Sequence, residues 1–367
     1  MSSTTRSSTA MNGDEPPRKM MTKQSPEISI LSLPYDLLLN CLARVSRLYY
    51  PTLSLVSQKF RSVVASPDLY ETRSLLHRTE SCLYLCLRYN RDYPRNLDTY
   101  CGRLFIPVSS PQLRPARSMS LVAVGSNIYR IGGDMPSSSR VSVLDCRFNT
   151  WHRAPRMRLK RSSPAASLID GKIFVAGGCE DPSSVNWIEV FDPKTRTWGN
   201  VANPGTETRP RAEVRSFGIG GKLYIRGDED VVYDPKEASW NPIGLGMDMA
   251  FAASFNHCVI GDVMFLWDDD REFRWYDFKA SSWKKLNGVE ELPNFYGYCK
   301  MVDHGGKKMA LLWEGYLRSE YVVWCAEIAL EMRDGDEMWG NVEWLDVVLS
   351  LKEPFRMFDA NVLSAMA

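Results

Sequence analysis

The stretch Gly171–Trp198 reads GKIFVAGGCEDPSSVNWIEVFDPKTRTW, and its outline returns three more times. The other copies are NIYRIGGD…VSVLDCRFNTW at Asn127–Trp151, GKLYIRGDEDVVYDPKEASW at Gly221–Trp240 and GDVMFLWDDD…FRWYDFKASSW at Gly261–Trp283. The closing tryptophans stand 47, 42 and 43 residues apart. A period in the forties, built only of short strand-like runs, is the mark of radial blades. Each unit opens on an alternating run such as Ile173–Ala176, which argues a strand with one face in a core. The paired glycines that follow, Gly132–Gly133 and Gly177–Gly178, suit a close backbone approach or a positive φ. Asp192–Pro193–Lys194 and Asp234–Pro235–Lys236 are turn sequences, with Asp capping its own backbone and Pro presetting φ. The tryptophan then starts an outer strand, where it is expected to fill the wedge between neighbouring blades; truncating a buried one to Ala would cost roughly 3–5 kcal/mol.

Working outward, clear repeats cover about 117–160, 161–205, 212–245 and 252–288, and a weaker unit covers 295–345. A closing blade is expected from both ends of the domain: 82–108, read as its last two strands, and the apolar run 355–366. Closure removes the exposed edges of an open sheet. The expectation is a mainly β fold, a β-propeller of six blades over residues 77–367, with five blades and externally packed termini as the alternative. Diglycine, aromatic and turn, then tryptophan: this order resembles the kelch repeat. The third and fourth units depart from it, with Arg226–Gly227 and Leu266–Trp267 at the diglycine position.

Upstream the pattern changes. Residues 28–76 contain no glycine, and their apolar residues follow helical spacing. Pro34 near a first turn opens one helix, in which Leu38, Cys41, Leu42 and Val45 share a face. Pro51 starts a second, with the stripe Leu53, Val56, Phe60 and Val63–Val64, and Ser66–Pro67 stops it and starts a third. Residues 26–76 resemble an F-box, the small all-α module that binds a Skp-family adaptor. The residues that carry the likeness are Leu33–Pro34, Asp36–Leu37–Leu38, Cys41–Leu42, Leu53, Val56–Ser57, Phe60–Arg61, Val64, Ser66–Pro67 and Leu69–Tyr70. Cys41 departs from the larger aliphatic usual there. A head of about fifty residues cannot bury all of its apolar surface alone, and surplus apolar surface marks a partner site.

The chain has 367 residues, is 44% hydrophobic and carries a net charge of +1, which gives no long-range pull toward nucleic acid. No apolar run is long enough to span a membrane, and the Ser/Thr-rich start lacks an apolar export segment; residues 1–25 read as a disordered tail. Nine irregularly spaced cysteines without a C-x-x-C read as reduced and buried, so a cytoplasmic or nuclear setting is expected. With four scattered histidines and no H-E-x-x-H, G-x-S-x-G or phosphate-binding loop, neither catalysis nor a metal or other cofactor is expected. Some plant kelch proteins are iron-dependent specifier proteins with an E-x-x-x-D-x-x-x-H run; no Glu here is followed four residues later by Asp.

An F-box ahead of a kelch propeller resembles the plant F-box/kelch proteins. The resemblance implies a non-catalytic substrate receptor of a Skp–cullin–F-box ubiquitin ligase, with the head on the Skp-family adaptor and, through it, the cullin and its RING–E2 assembly. The propeller would hold an unidentified protein substrate. The alternative is a kelch scaffold that acts without a cullin. The adaptor contacts expected are Leu33, Pro34, Leu37, Leu38, Leu42, Leu53, Val56 and Phe60. For the substrate, the loops after the glycine pairs are acidic, with Asp228, Asp230, Asp268, Asp269 and Asp270, whereas the first inter-blade connection is basic, with Arg156, Arg158, Lys160 and Arg161. In the family geometry both sets lie on one face; they read either as ordinary solvated loops or as a charge-complementary docking site for a protein segment.

Overall fold

Alternation and turn chemistry make each repeat a four-stranded antiparallel sheet. The first is Ser120–Val124, Asn127–Ile131, Val141–Asp145 and Thr150–Ala154. The next begin at Ala165, Arg215, His257 and Cys299. The computed structural model describes residues 30–87, 97–100, 105–108, 119–133, 137–181, 184–202, 214–226, 230–243, 257–268, 270–295, 298–352, 354–355, 357 and 361–366.

Among the described residues five sheets are each built from strands consecutive in sequence, and a sixth joins the two ends of the domain. In that sheet Asn361–Met366 pairs with Ser81–Cys86, followed outward by Leu97–Tyr100 and Phe105–Val108. Residues 82–108 thus supply three strands of the closing sheet rather than the expected two, and the C-terminal strand supplies only the innermost. The first strands of the six sheets touch in a closed ring, which defines the axis. The core is a set of wedges between blades: Tyr129 and Ile131 of the first blade meet Val175 and Phe191 of the second, and Leu85 of the sixth meets Val323 and Cys325 of the fifth.

Two faces follow from the strand directions. On one lie two-residue turns such as Asp170–Gly171 and Gly220–Gly221, all four residues at positive φ as the tightest hairpins require. The same face carries the third-to-fourth-strand turns, where the carboxylates of Asp192, Asp234 and Asp277 accept N–H bonds of 2.8–2.9 Å from the residue two ahead, the Asp cap read from the sequence. The opposite face carries the inter-blade connections and the loops after the glycine pairs. Gly178 there has φ +69°, and a Cβ would lie 2.3 Å from the Ser162 carbonyl oxygen; no other residue fits.

The repeat tryptophans pack against the inter-blade clusters, as expected, but at their outer margin. Trp151, Trp198, Trp240 and Trp283 are half-buried. Trp198 packs on Phe191 with ring centroids 5.0 Å apart and donates its indole N–H to the Pro155 carbonyl at the end of the preceding blade. Trp240 does the same on Tyr233 and Ala202. Trp198 and Trp240 are thus stitches at the rim, whereas Trp187, Trp275 and Trp313, none of them a repeat-closing tryptophan, are buried among the described residues.

Candidate functional site

The head consists of α1 (Tyr35–Ala43), α2 (Tyr50–Val56), α3 (Gln58–Val64) and α4 (Pro67–Leu75). The second helix expected from the sequence is two helices. Ser57 adopts an extended backbone between them, and its hydroxyl accepts the Phe60 N–H at 3.1 Å, an N-cap that restarts the helix in a new direction. Ser66 caps α4 in the same way.

This geometry divides the eight expected adaptor contacts. Leu38, Leu42 and Phe60 lie in the head's own core with Leu69 and Tyr70. Leu33 and Leu53 are half-buried. Pro34 is exposed, Leu37 is 53% exposed and Val56 is 61% exposed. Cys41, expected to share a face with Leu38 and Leu42, parts from them: it is exposed and follows Pro34 and Leu37 along the outer side of α1. Leu55, 78% exposed, was missed because it lies off the stripe through Leu53 and Val56. Pro34 ahead of α1, Leu37 on it, and Leu55 and Val56 on α2 are therefore left in water on a module of about fifty residues, more than scattered surface apolars require.

The head is seated on the face of tight turns. The Arg47 guanidinium donates to the Cys146 carbonyl at 3.0 Å and the Arg147 carbonyl at 3.3 Å, in the third-to-fourth-strand turn of the first blade. Tyr70 meets Phe148 of that turn edge-on, 5.1 Å between centroids. The loop face is left uncovered by the head.

On that loop face the charges expected for docking are largely committed within the fold. Arg161 is fully buried in an ion pair with the equally buried Glu189 at 2.9 Å, and it donates to the carbonyls of Gly177, Trp187 and Asn186. It ties the inter-blade connection to the second blade and offers nothing to a partner. Arg158 is exposed, yet its guanidinium binds the Trp198 carbonyl and Asn200. Arg156 is exposed. Asp268 pairs with Arg274 and accepts the Glu272 N–H, while Asp270 lies 3.8 Å from the same arginine. The Asp268 hydrogen bond raises the Arg274 guanidinium further above its ordinary value. Asp230 lies 3.9 Å from Arg226. Asp228 and Asp269 fall outside the described residues. Arg274, on a strand of the same hairpin, is therefore shared among Asp268, Asp270 and Glu272 of the fourth blade, with Asp268 held most closely. A sequence offers no signal for this, because the arginine sits on a strand and the carboxylates on the loop it supports.

The axis holds a cavity of about 540 Å³ lined by the inner strands, including Ala123, Ser167, Gly218, Val259, Val302 and Ser364. Gly218 is required there: a Cβ would meet the Leu168 carbonyl at 2.7 Å. Apart from Asp303 the lining is neutral and mostly apolar, with Cys258 and Met301 among it. Burial pushes the Cys299 thiol up to about 12, away from the reactive thiolate. Among the described residues no three His, Cys, Asp or Glu side chains gather as metal ligands, and no helix is long and apolar enough to cross a membrane.

Comparison with known proteins follows this division. The F-box domain matches residues 30–72, and the FKB95 kelch-repeats domain matches residues 83–349. An F-box/kelch-repeat protein of Arabidopsis thaliana is 50% identical over 400 residues, covering 100% of this chain and 99% of its own. A putative F-box/kelch-repeat protein of the same plant is 48% identical, covering 97% of this chain and 100% of its own. A third, an F-box/kelch-repeat protein, is 46% identical with 97% and 100% covered.

Proposed function

The chain belongs to the F-box/kelch-repeat proteins, and from that membership we propose that it is the substrate-recognition subunit of a Skp–cullin–F-box ubiquitin ligase, acting in the cytoplasm or nucleus. The observation that carries this reading is the apolar surface of Pro34, Leu37, Leu55 and Val56, presented on a head fastened to one face of the propeller. An adaptor covers that surface and brings the cullin and its RING–E2 assembly. A protein substrate binds the opposite, loop-bearing face. The chemistry belongs to the E2 thioester, and this subunit supplies effective concentration. No catalytic group is required of it.

The test is co-precipitation of the intact chain with a Skp-family adaptor and cullin, beside Leu37→Asp and Val56→Asp. Both side chains are more than half exposed, so the variants should melt like the parent while losing at least tenfold in adaptor affinity, as interfacial anchors do. Adaptor without cullin in the precipitate would favour a scaffold acting outside a ligase. A folded chain that captures neither would reduce the head to a cap on the propeller.

A further inference from the structure

The contact between head and propeller is built more heavily than a tether needs. Only residues 76–80 separate the end of α4 from the strand beginning at Ser81, and that passage is clamped from both sides. Arg73, 1% exposed, donates to the carbonyls of Ala43 and Val45 and to the Tyr50 hydroxyl, and pairs with Glu80 at 3.0 Å. Glu80 in turn accepts the Arg47 N–H at 3.1 Å and the Ser46 hydroxyl. Some sixty-eight residues further along the chain, the turn after Asp145 rises to meet this clamp. There Arg47 stands over the Tyr70 ring at 5.5 Å while binding two backbone carbonyls, and Tyr70 meets Phe148. Arg147, held by Asp145, lies over the Phe148 ring at 5.4 Å. A planar guanidinium that binds two carbonyls and an aromatic ring at once fixes distance and angle together, which a lysine cannot do. Two attachment points on different parts of the propeller, the sixth blade and the first, remove the hinge that a single short linker would leave.

We propose that Arg47, Tyr70 and Phe148 form a positioning joint that makes head and propeller one rigid body, so that a protein held by the propeller meets the ligase at a single angle. This rests on the receptor reading above. The joint itself touches neither adaptor nor substrate; it selects which lysines come within reach of ubiquitin transfer.

The experiment measures orientation and consequence separately in the full-length chain. Spin labels at exposed Asn40 on α1 and exposed Lys236 on the third blade report the distance distribution between the two parts. The parent and Phe148→Tyr should give one narrow distribution, whereas Arg47→Ala, Phe148→Ala and their combination should broaden it at least twofold with the propeller melt unchanged. A broad distribution in the parent, or a narrow one in the combined variant, overturns the proposal. In a ligase reconstituted with adaptor, cullin, RING subunit, E2 and ubiquitin, mass spectrometry then maps self-modification of the propeller's lysines. The parent and Phe148→Tyr should share one restricted set, and the combined variant should spread over further lysines at unchanged adaptor affinity. An identical set in the combined variant, despite a broadened distribution, removes the positioning role. If the parent transfers no ubiquitin while the distances behave as stated, the joint stands and the ligase reading fails.

Discussion

Residues that look alike in the sequence have opposite fates in this fold. Arg158 and Arg161 belong to one basic cluster, yet one lies at the surface and the other lies wholly inside with Glu189. Arg161→Ala leaves a buried carboxylate without its cation and should cost about 3–5 kcal/mol in urea denaturation; Arg158→Ala should cost under about 1 kcal/mol. The two positions could not be separated by reading, because burial depends on carbonyls contributed up to the next blade. Asp145 shows the same dependence. Partial burial alone would raise its carboxyl, but hydrogen bonds from the Arg147 side chain and N–H hold it below the ordinary carboxylate value. A carboxyl depressed in the folded state adds stability that is fully present above its unfolded value, about 3.9, and is lost as pH falls through the folded value. The melting temperature should therefore fall as pH drops from about 5 toward 2, and Asp145→Asn should fall less steeply; equal slopes would exclude this carboxylate as a source.

At the scale of elements, local chemistry was legible and direction was not. The Asp–Pro turns, the diglycine bends and the alternating strands follow from backbone preferences within a few residues, and the fold adopts them. The helix expected from Pro51 through Val64 carries a continuous apolar stripe, but the backbone breaks at Ser57, since its side chain competes for the Phe60 N–H. That break turns α3 inward, so that Phe60 enters the core while Val56, four residues earlier, stays in water. Ser57→Ala removes the cap and should destabilise the head by about 1 kcal/mol, read as faster amide exchange in α3 with blade amides unaffected; a general rise in exchange would instead mean that the whole molecule was weakened. The repeat tryptophans mark element boundaries and sit half-buried at the outer margin of the wedges, where Trp198 and Trp240 also bond to the preceding blade.

For the whole molecule, the decisive contact joins its two ends. Asn361–Met366 forms the inner strand of the blade whose other strands begin at Ser81, and Leu363 and Ala365 fill the wedge toward the first blade. Removing residues 361–366 should open the ring, expose the edge of Ser81–Cys86 and produce aggregation with loss of a single cooperative melt; a monomeric truncation that melts like the parent would show that five blades suffice. The same closing blade lies next to the head, because Glu80 immediately precedes its Ser81 strand.

The amino-acid sequence by itself determined the repeat, the blade architecture, the helical head and the family to which both belong. Those properties are periodic or local, written into the spacing of apolar residues and into turn chemistry that acts over a few bonds. Only the tertiary structure decided which leucines of the head face water, which loop charges are already paired, and at what angle head and propeller meet. Each of those depends on what a side chain finds across a gap of tens of residues. A helix can be inferred from its own spacing; the side it shows to solvent is set by what packs against it.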